Sequence, residues 1–408
     1  MTSAFDDVQL TSPIEVFALT KAYNEDTNDK KVNLSIGVYR TDEGNPWVLP
    51  VVARIEAQIA GNEALNHEYL PVTGDEQFTK VAVAHLLGED SPAIRENRVI
   101  GCQALSGTGA LRLGAELLAH VMHKTTYCVS IPTWDNHDDV FTSAGFTHSH
   151  CYRYWHSERR EIDIDGMLED LVAAPEGSVV NLHACAHNPT GCDPTREQWK
   201  RIADVCEARK LFPFFDSAYQ GFASGDPIED AFAVRYFVSR GFEIMCAQSF
   251  VKNFGLYSER VGNLAIVLRN PAKLPAIVSQ LSLLIRGMYS SPPAFGSRIV
   301  GTILSDPELR AEWMLCIKTM SERIMRMRRM LYDHLIALKT PGTWSHIIDQ
   351  IGMFSYTGLS EEQSQRLARE FHIYLPKSGR ISLSGLNDRN MEYVAKAIHY
   401  VITTTTTP

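Results

Sequence analysis

Val179-Val180-Asn181-Leu182-His183-Ala184-Cys185, then Gln198 to Ala208, then Leu211-Phe212-Pro213-Phe214-Phe215 is the stretch that decides the fold. It sets a short apolar run, a helix-period segment and a second apolar run in succession. Short apolar runs bounded by turn residues read as strands buried on both faces, and the segment between them reads as an amphipathic helix. Two strands joined by a helix pair in parallel, with the helix crossing one face of the sheet. The same alternation runs from about residue 45 to 320. It predicts an α/β fold whose large domain is a mainly parallel sheet flanked by helices. Glu308 to Leu338 is helix-prone and free of proline after Pro307, so it reads as a connecting helix into a smaller α/β unit around residues 340–402. The expected division is 1–41 as an N-terminal arm and part of the small domain, 42–319 as the large domain and 320–408 as the small domain. Within the first 40 residues, Pro13 to Asn24 reads as a helix and Lys31 to Val38 as a strand, belonging to the small domain or to an arm against a second subunit. The threonine run Thr403 to Thr407 reads as a frayed tail.

The chain has 408 residues, 45% of them hydrophobic, enough to bury a large core. A formal net charge of −9 argues against nucleic-acid binding. Any anionic ligand must then be held by a few placed cations. No window reaches the roughly 20 apolar residues that cross a bilayer, and Met1 to Val8 has no signal-like core, so the expected location is the cytoplasm. The eight cysteines (102, 128, 151, 185, 192, 206, 246 and 316) form no C-x-x-C pair and read as reduced, mostly buried thiols.

Four segments carry chemistry. Ser249-Phe250-Val251-Lys252-Asn253-Phe254-Gly255-Leu256-Tyr257-Ser258-Glu259-Arg260-Val261-Gly262 follows the apolar run Ile244 to Ala247, so Lys252 falls just beyond the carboxyl end of a strand, where open α/β sheets bind ligands. A lysine that forms an imine must shed its proton near neutrality, which burial and neighbouring cations favour. Arg260 is such a cation and a phosphate clamp. Without other support, a surface lysine paired with Glu259 is the plainer reading. Leu211 to Phe215 ends in Asp216-Ser217-Ala218-Tyr219-Gln220-Gly221, an apolar strand closing on a carboxylate. Beneath a pyridine ring, that acid would keep the ring nitrogen protonated, with Tyr219 near the ring oxygen; capping a turn is the plainer role.

Ser106-Gly107-Thr108-Gly109-Ala110-Leu111-Arg112-Leu113-Gly114 reads as a glycine turn opening a helix, with Leu111, Leu118 and Met122 on its apolar face. Free backbone N–H groups there suit an anion. The spacing is not that of a dinucleotide fingerprint, and no acid follows at a strand end some 20 residues on. His183-Ala184-Cys185-Ala186-His187-Asn188-Pro189-Thr190-Gly191 ends another apolar run. On a strand, His183, Cys185 and His187 would share one face, but a fourth ligand is lacking, so no metal is expected and Asn188 is the better small-molecule contact. Trp134 and His137 follow Ile131-Pro132-Thr133 in the same relation to their strand, and Trp134 could stack on a flat ring.

Together with Asn66-His67-Glu68-Tyr69-Leu70-Pro71 and Ser378-Gly379-Arg380, these segments resemble the aspartate aminotransferases of fold type I over nearly the whole chain. The resemblance implies pyridoxal 5'-phosphate as cofactor, Lys252 as the Schiff-base lysine and proton shuttle, Asp216 as partner of the pyridine nitrogen, Tyr219 and Asn188 on the ring oxygen, and Trp134 stacked on the ring. It implies that Ser106, Gly107, Thr108, Ser249 and Arg260 hold the phosphate, with Tyr69 reaching in from a second subunit. Gly37, Trp134 and Asn188 would contact substrate, Arg380 would take its α-carboxylate, and Arg286 of the partner would take the distal one. The implied reaction interconverts L-aspartate plus 2-oxoglutarate with oxaloacetate plus L-glutamate in a cytoplasmic homodimer. Val251 and Ser291 depart from the family pattern, which has a small or hydroxyl residue and often Asn there; a lost hydroxyl at 251 implies a looser hold on the phosphate. Aromatic or broad specificity is the rival within the family, disfavoured by Arg286, and a cofactor-poor binding protein is the rival outside it.

Overall fold

The computed structural model describes residues 3–405. Its centre is a seven-stranded sheet: β1 (Val99–Leu105), β2 (Thr126–Ile131), β3 (His148–Arg153), β4 (Val179–His183), β5 (Phe212–Ser217), β6 (Ile244–Ser249) and β7 (Val261–Val267), in the spatial order β1-β7-β6-β5-β4-β2-β3. All pairs are parallel except those of β7, which runs antiparallel to both neighbours. Strands β4, β6 and β7 are buried at every position, as expected where helices cover both faces of a parallel sheet. The crossover helix Arg196–Ala208 starts at a capping box in which Thr195 and Gln198 satisfy each other's backbone N–H groups, and it buries Trp199, Ile202, Ala203 and Cys206 against the sheet.

Helix Pro307–Ala337, capped by Asp306 through the amides of Glu308 and Leu309, leads into the C-terminal third of the chain. There Phe354–Tyr356 pairs antiparallel with Arg380–Ser382, and Val32–Asn33 pairs parallel with Ile373–Tyr374, tying the start of the chain to its end.

The structure corrects four local expectations. The strand expected over Lys31 to Val38 is confined to Val32–Asn33, because the Asn33 side chain captures the Ser35 amide at 2.9 Å and turns the backbone out of pairing. Strand β4 stops at His183, so Cys185 and His187 lie in a loop and the three side chains do not alternate on one strand. Met122 is exposed, since the helix from Ser106 passes through a π-turn at Leu117–Val121 and ends there. The final helix runs Met391–Thr404, with Thr403 and Thr404 bonded back to the carbonyls of His399 and Tyr400, so the threonine run is not frayed at its start; Thr406 and Thr407 lie outside the described residues. All eight cysteines are free, and six are buried.

Candidate active site

Parallel strands β2, β4, β5 and β6 end at one edge of the sheet, and the loops after them carry Trp134, Asn188, Tyr219 and Lys252. Register does the rest. His183 on β4 lies opposite Asp216 on β5. Ser249 on β6 lies opposite Gly262 on β7, and Val261 lies opposite Leu105 on β1, so Ser249, Arg260 and Ser106 meet at one end of three neighbouring strands.

Lys252 sits with its Nζ 4.0 Å from the centre of the Tyr219 ring. Asp216 is buried, and His137 Nε2 lies 3.1 Å from its Oδ2. Burial alone pushes the Asp216 carboxyl up, but the hydrogen bond from His137, with the positive charge of Lys252 nearby, outweighs it and holds the acid below the usual carboxylate range. An ionised Asp216 only accepts, so His137 Nε2 donates to it, while His137 Nδ1 lies 2.8 Å from Thr133 Oγ1. Burial pulls His183 down to about 3, so its ring is neutral. His137, His183 and Asp216 bring their ligand atoms within 4.8 Å of one another, yet both His137 nitrogens are already engaged.

Two cations stand ready for anions. Arg380 is 7% exposed and has no acidic partner among the described residues. Its Nη1 donates to Asn188 Oδ1 at 3.2 Å and its Nη2 to the Ser35 carbonyl at 2.6 Å, its guanidinium lies 4.2 Å from the centre of the Phe354 ring, and its Nε has no partner. Burial lowers its pKa. A desolvated cation without a counter-ion is costly, and such a guanidinium is suited to an anionic ligand. Arg260 donates to Ser106 Oγ and to the Tyr257 carbonyl, also without an acid. Ser106 adopts φ +62° at the start of helix Ser106–Glu116, and a Cβ on Gly107 would lie 3.1 Å from Ser249 Cβ. Ser106, Gly107, Thr108, Ser249 and Arg260 therefore surround a helix N-terminus free of acids, suited to a phosphate.

The profile of aminotransferases of class I and II matches residues 29–398. The chain belongs to that family. Cytoplasmic aspartate aminotransferase of Caenorhabditis elegans is 55% identical to this aminotransferase over 396 residues, covering 97% of each chain. The cytoplasmic aspartate aminotransferase of Saccharomyces cerevisiae superposes with a TM-score of 0.97 at 44% identity, over 99% of each chain. An aromatic-amino-acid aminotransferase from Burkholderia pseudomallei, described as covalently bound to pyridoxal phosphate, superposes at 0.94 with 41% identity, covering 98% of this chain and all of that one.

In the single chain of this aminotransferase, Lys252, Asp216, Tyr219, Asn188 and Arg380 come together, with Trp134 5.3 Å from the His137 ring. A Cβ on Gly37 would stand 2.8 Å from the Phe354 ring, so the backbone passes close to the face that carries Arg380. Tyr69 and Arg286 are not brought in. Tyr69 is 83% exposed, and Arg286 is exposed at the last turn of helix Leu274–Met288. Ser35, Phe354, Asp193 and Asp230 were not singled out by the sequence reading. The first two act on Arg380 across more than 300 and about 25 residues of chain respectively, beyond the reach of any local pattern.

Proposed function

We propose that this chain is an aspartate aminotransferase that uses pyridoxal 5'-phosphate to interconvert L-aspartate plus 2-oxoglutarate with oxaloacetate plus L-glutamate in the cytoplasm, as the names of its relatives suggest. The observation that carries this reading is Arg380, a buried guanidinium with no acid of its own, held by Asn188 beside the loop network of Lys252. A guanidinium fork matches the two oxygens of an α-carboxylate. The cofactor fits the same residues: Lys252 to hold it covalently, ionised Asp216 for the ring nitrogen, Trp134 for its face, Asn188 and Tyr219 for the ring oxygen, and Ser106, Gly107, Thr108, Ser249 and Arg260 for its phosphate. When bound, pyridoxal phosphate supplies an electron sink for the pair left at the substrate α-carbon. Lys252 Nζ then moves the proton at that carbon, Asp216 stays ionised through its His137 bond, and Gly37 and Asn188 orient the substrate with Arg380.

The distal carboxylate needs a second cation, and among the described residues no Lys or Arg acts on Arg380. We assign it to Arg286 of a second subunit, with Tyr69 of that subunit on the phosphate. Support comes from the surface: Asn66 to Leu70 and Ser291 to Arg298 wall one groove of about 700 Å³, so both segments lie on one face of the molecule. We likewise propose the division into 1–41, 42–319 and 320–408, since every strand of the large sheet lies between residues 99 and 267 and the short pairs at 354–356 and 373–382 lie beyond it. Retention of Arg286 favours dicarboxylic over aromatic substrates.

Purified protein loaded with cofactor should absorb in the visible, and aspartate should shift that absorbance in a single turnover. Lys252→Ala should abolish the shift while leaving the far-UV circular dichroism intact. A shift with phenylalanine and none with aspartate would overturn the specificity, and normal turnover by Lys252→Ala would overturn the mechanism.

A further inference from the structure

The loops after β4 and β5 leave the sheet through left-handed turns, at Ala186 (φ +48°) and Gly221 (φ +96°), where backbone amides have no strand to pair with. Two carboxylates take them up. Asp193 accepts from the Ala186 amide at 2.5 Å and the His187 amide at 2.9 Å. Asp230 accepts from the amides of Gly221, Ala223 and Ser224 at 2.7, 3.1 and 3.0 Å, and from the Ser224 hydroxyl at 2.6 Å. Neither acid has a basic partner among the described residues. Arg196 shares the cavity of about 280 Å³ that both acids line, but it is paired with Glu229 and lies over the Phe232 ring.

Two neighbouring acids set among packed atoms without a cation are costly, and burial raises both. Their oxygens satisfy five backbone amides at the two turns and so set the geometry of both loops. What they fix is specific. The residue after His187 is Asn188, and the His187 ring is itself held by Ser130 at 2.9 Å, by Thr190 at 2.9 Å and by stacking on Tyr154 at 3.8 Å. Tyr219 lies two residues before Gly221, and the intervening Gln220 carbonyl accepts from Asn253, next to Lys252, at 3.1 Å.

We propose that Asp193 and Asp230 are positioning residues, each clamping one post-strand loop so that Asn188 and Tyr219 converge on the same ring oxygen of the cofactor. The inference rests on the ring-oxygen reading given under Proposed function. Donors to that oxygen favour its deprotonated form, so loosening either clamp raises the pH at which the visible absorbance of the loaded protein changes.

The experiment is a spectrophotometric pH titration of loaded wild type, Asp193→Asn, Asp230→Asn, Asn188→Ala and Tyr219→Phe, with amide exchange measured on the cofactor-free proteins. Asn188→Ala and Tyr219→Phe should both raise the midpoint; if neither does, the ring-oxygen reading fails and takes this inference with it. Given that reference, Asp193→Asn and Asp230→Asn should each raise it by about half a pH unit or more and speed exchange at residues 186–188 and 221–224 respectively. Adding Asp193→Asn to Asn188→Ala should give no further shift, as expected when one residue acts through the other. Unmoved midpoints in folded Asp variants, beside shifted reference variants, would overturn the proposal, because a purely structural acid lowers melting temperature without touching the titration. Should an Asn variant fail to fold, Asp193→Glu and Asp230→Glu keep the charge, displace the loop by one methylene and carry the same expectation.

Discussion

A guanidinium is worth most where water is least, and Arg380 pays for that with stability. It is buried with its Nε unpartnered and forms no ion pair among the described residues, relieved by hydrogen bonds to Asn188 and the Ser35 carbonyl and by the Phe354 ring. Replacing a buried unpaired cation by an apolar side chain removes a desolvation penalty. Arg380→Leu is therefore expected to melt at the same temperature as wild type or higher, in the cofactor-free protein, while losing about a thousandfold or more in kcat/KM for aspartate. Arg380→Lys keeps the charge but not the fork, and should fall between the two. Calorimetry and steady-state kinetics on the three proteins check this; a large drop in melting temperature with Arg380→Leu would mean that Arg380 stabilises the fold and is not held in reserve for a ligand. The same residue shows the limit of sequence reading at this scale. Ser378-Gly379-Arg380 marks the arginine by resemblance, but nothing near it in the chain announces Phe354 or Ser35.

Among the elements, strands and helices were legible because their signals are periodic and local. Helix Arg196–Ala208 begins at a cap whose Thr and Gln stand three apart, and β5 and β6 are apolar runs that close on the polar residues Asp216-Ser217 and Gln248-Ser249. Loops were less so. Where β4 ends is decided by the Ala186 turn and by Asp193, seven residues on, which no hydrophobic pattern encodes. The strand expected from Lys31 to Val38 failed for a similar reason, a side-chain capture by Asn33. Asp193 also carries a pH signature. Burial raises its pKa from 3.8 to about 6, against the pull of the His187 and Ala186 amides and with added repulsion from Asp230. A carboxyl whose folded pKa exceeds its unfolded one binds more protons when folded, so its contribution to stability is greatest below about pH 4 and declines as pH rises through about 6. Asn has no such titration. The melting temperature of wild type relative to Asp193→Asn should accordingly fall between pH 4 and pH 6.5 and level off above it; a difference that is flat, or rises, would show that Asp193 is not raised in the folded state.

At the scale of the molecule, several large side chains are left exposed to solvent. Phe5, Leu10 and Phe17 near the N-terminus are more than two-thirds exposed, with Leu10 entirely so, and Tyr69 and Arg286 are exposed too. In the proposed homodimer, these apolar side chains would form a contact surface, which a second copy related by a two-fold axis would cover reciprocally. On that proposal Arg286 of one subunit would bind the side-chain carboxylate of the substrate held at Lys252 of the other. A site built around two guanidinium forks leaves one desolvated and unpaired when an uncharged side chain enters, which penalises aromatic substrates. Arg286→Ala should then cost aspartate several orders of magnitude in kcat/KM and an aromatic amino acid much less. Homodimers of Arg286→Ala and of Lys252→Ala should each be nearly inactive toward aspartate. A hybrid of the two has one site with both residues intact and one with neither. Equal amounts reassorted at random give about half hybrids, each with one good site of two, so roughly a quarter of wild-type activity should return. Verified hybrids with no activity beyond that of the separate variants would place Arg286 in its own subunit's site and remove the need for a partner in substrate recognition.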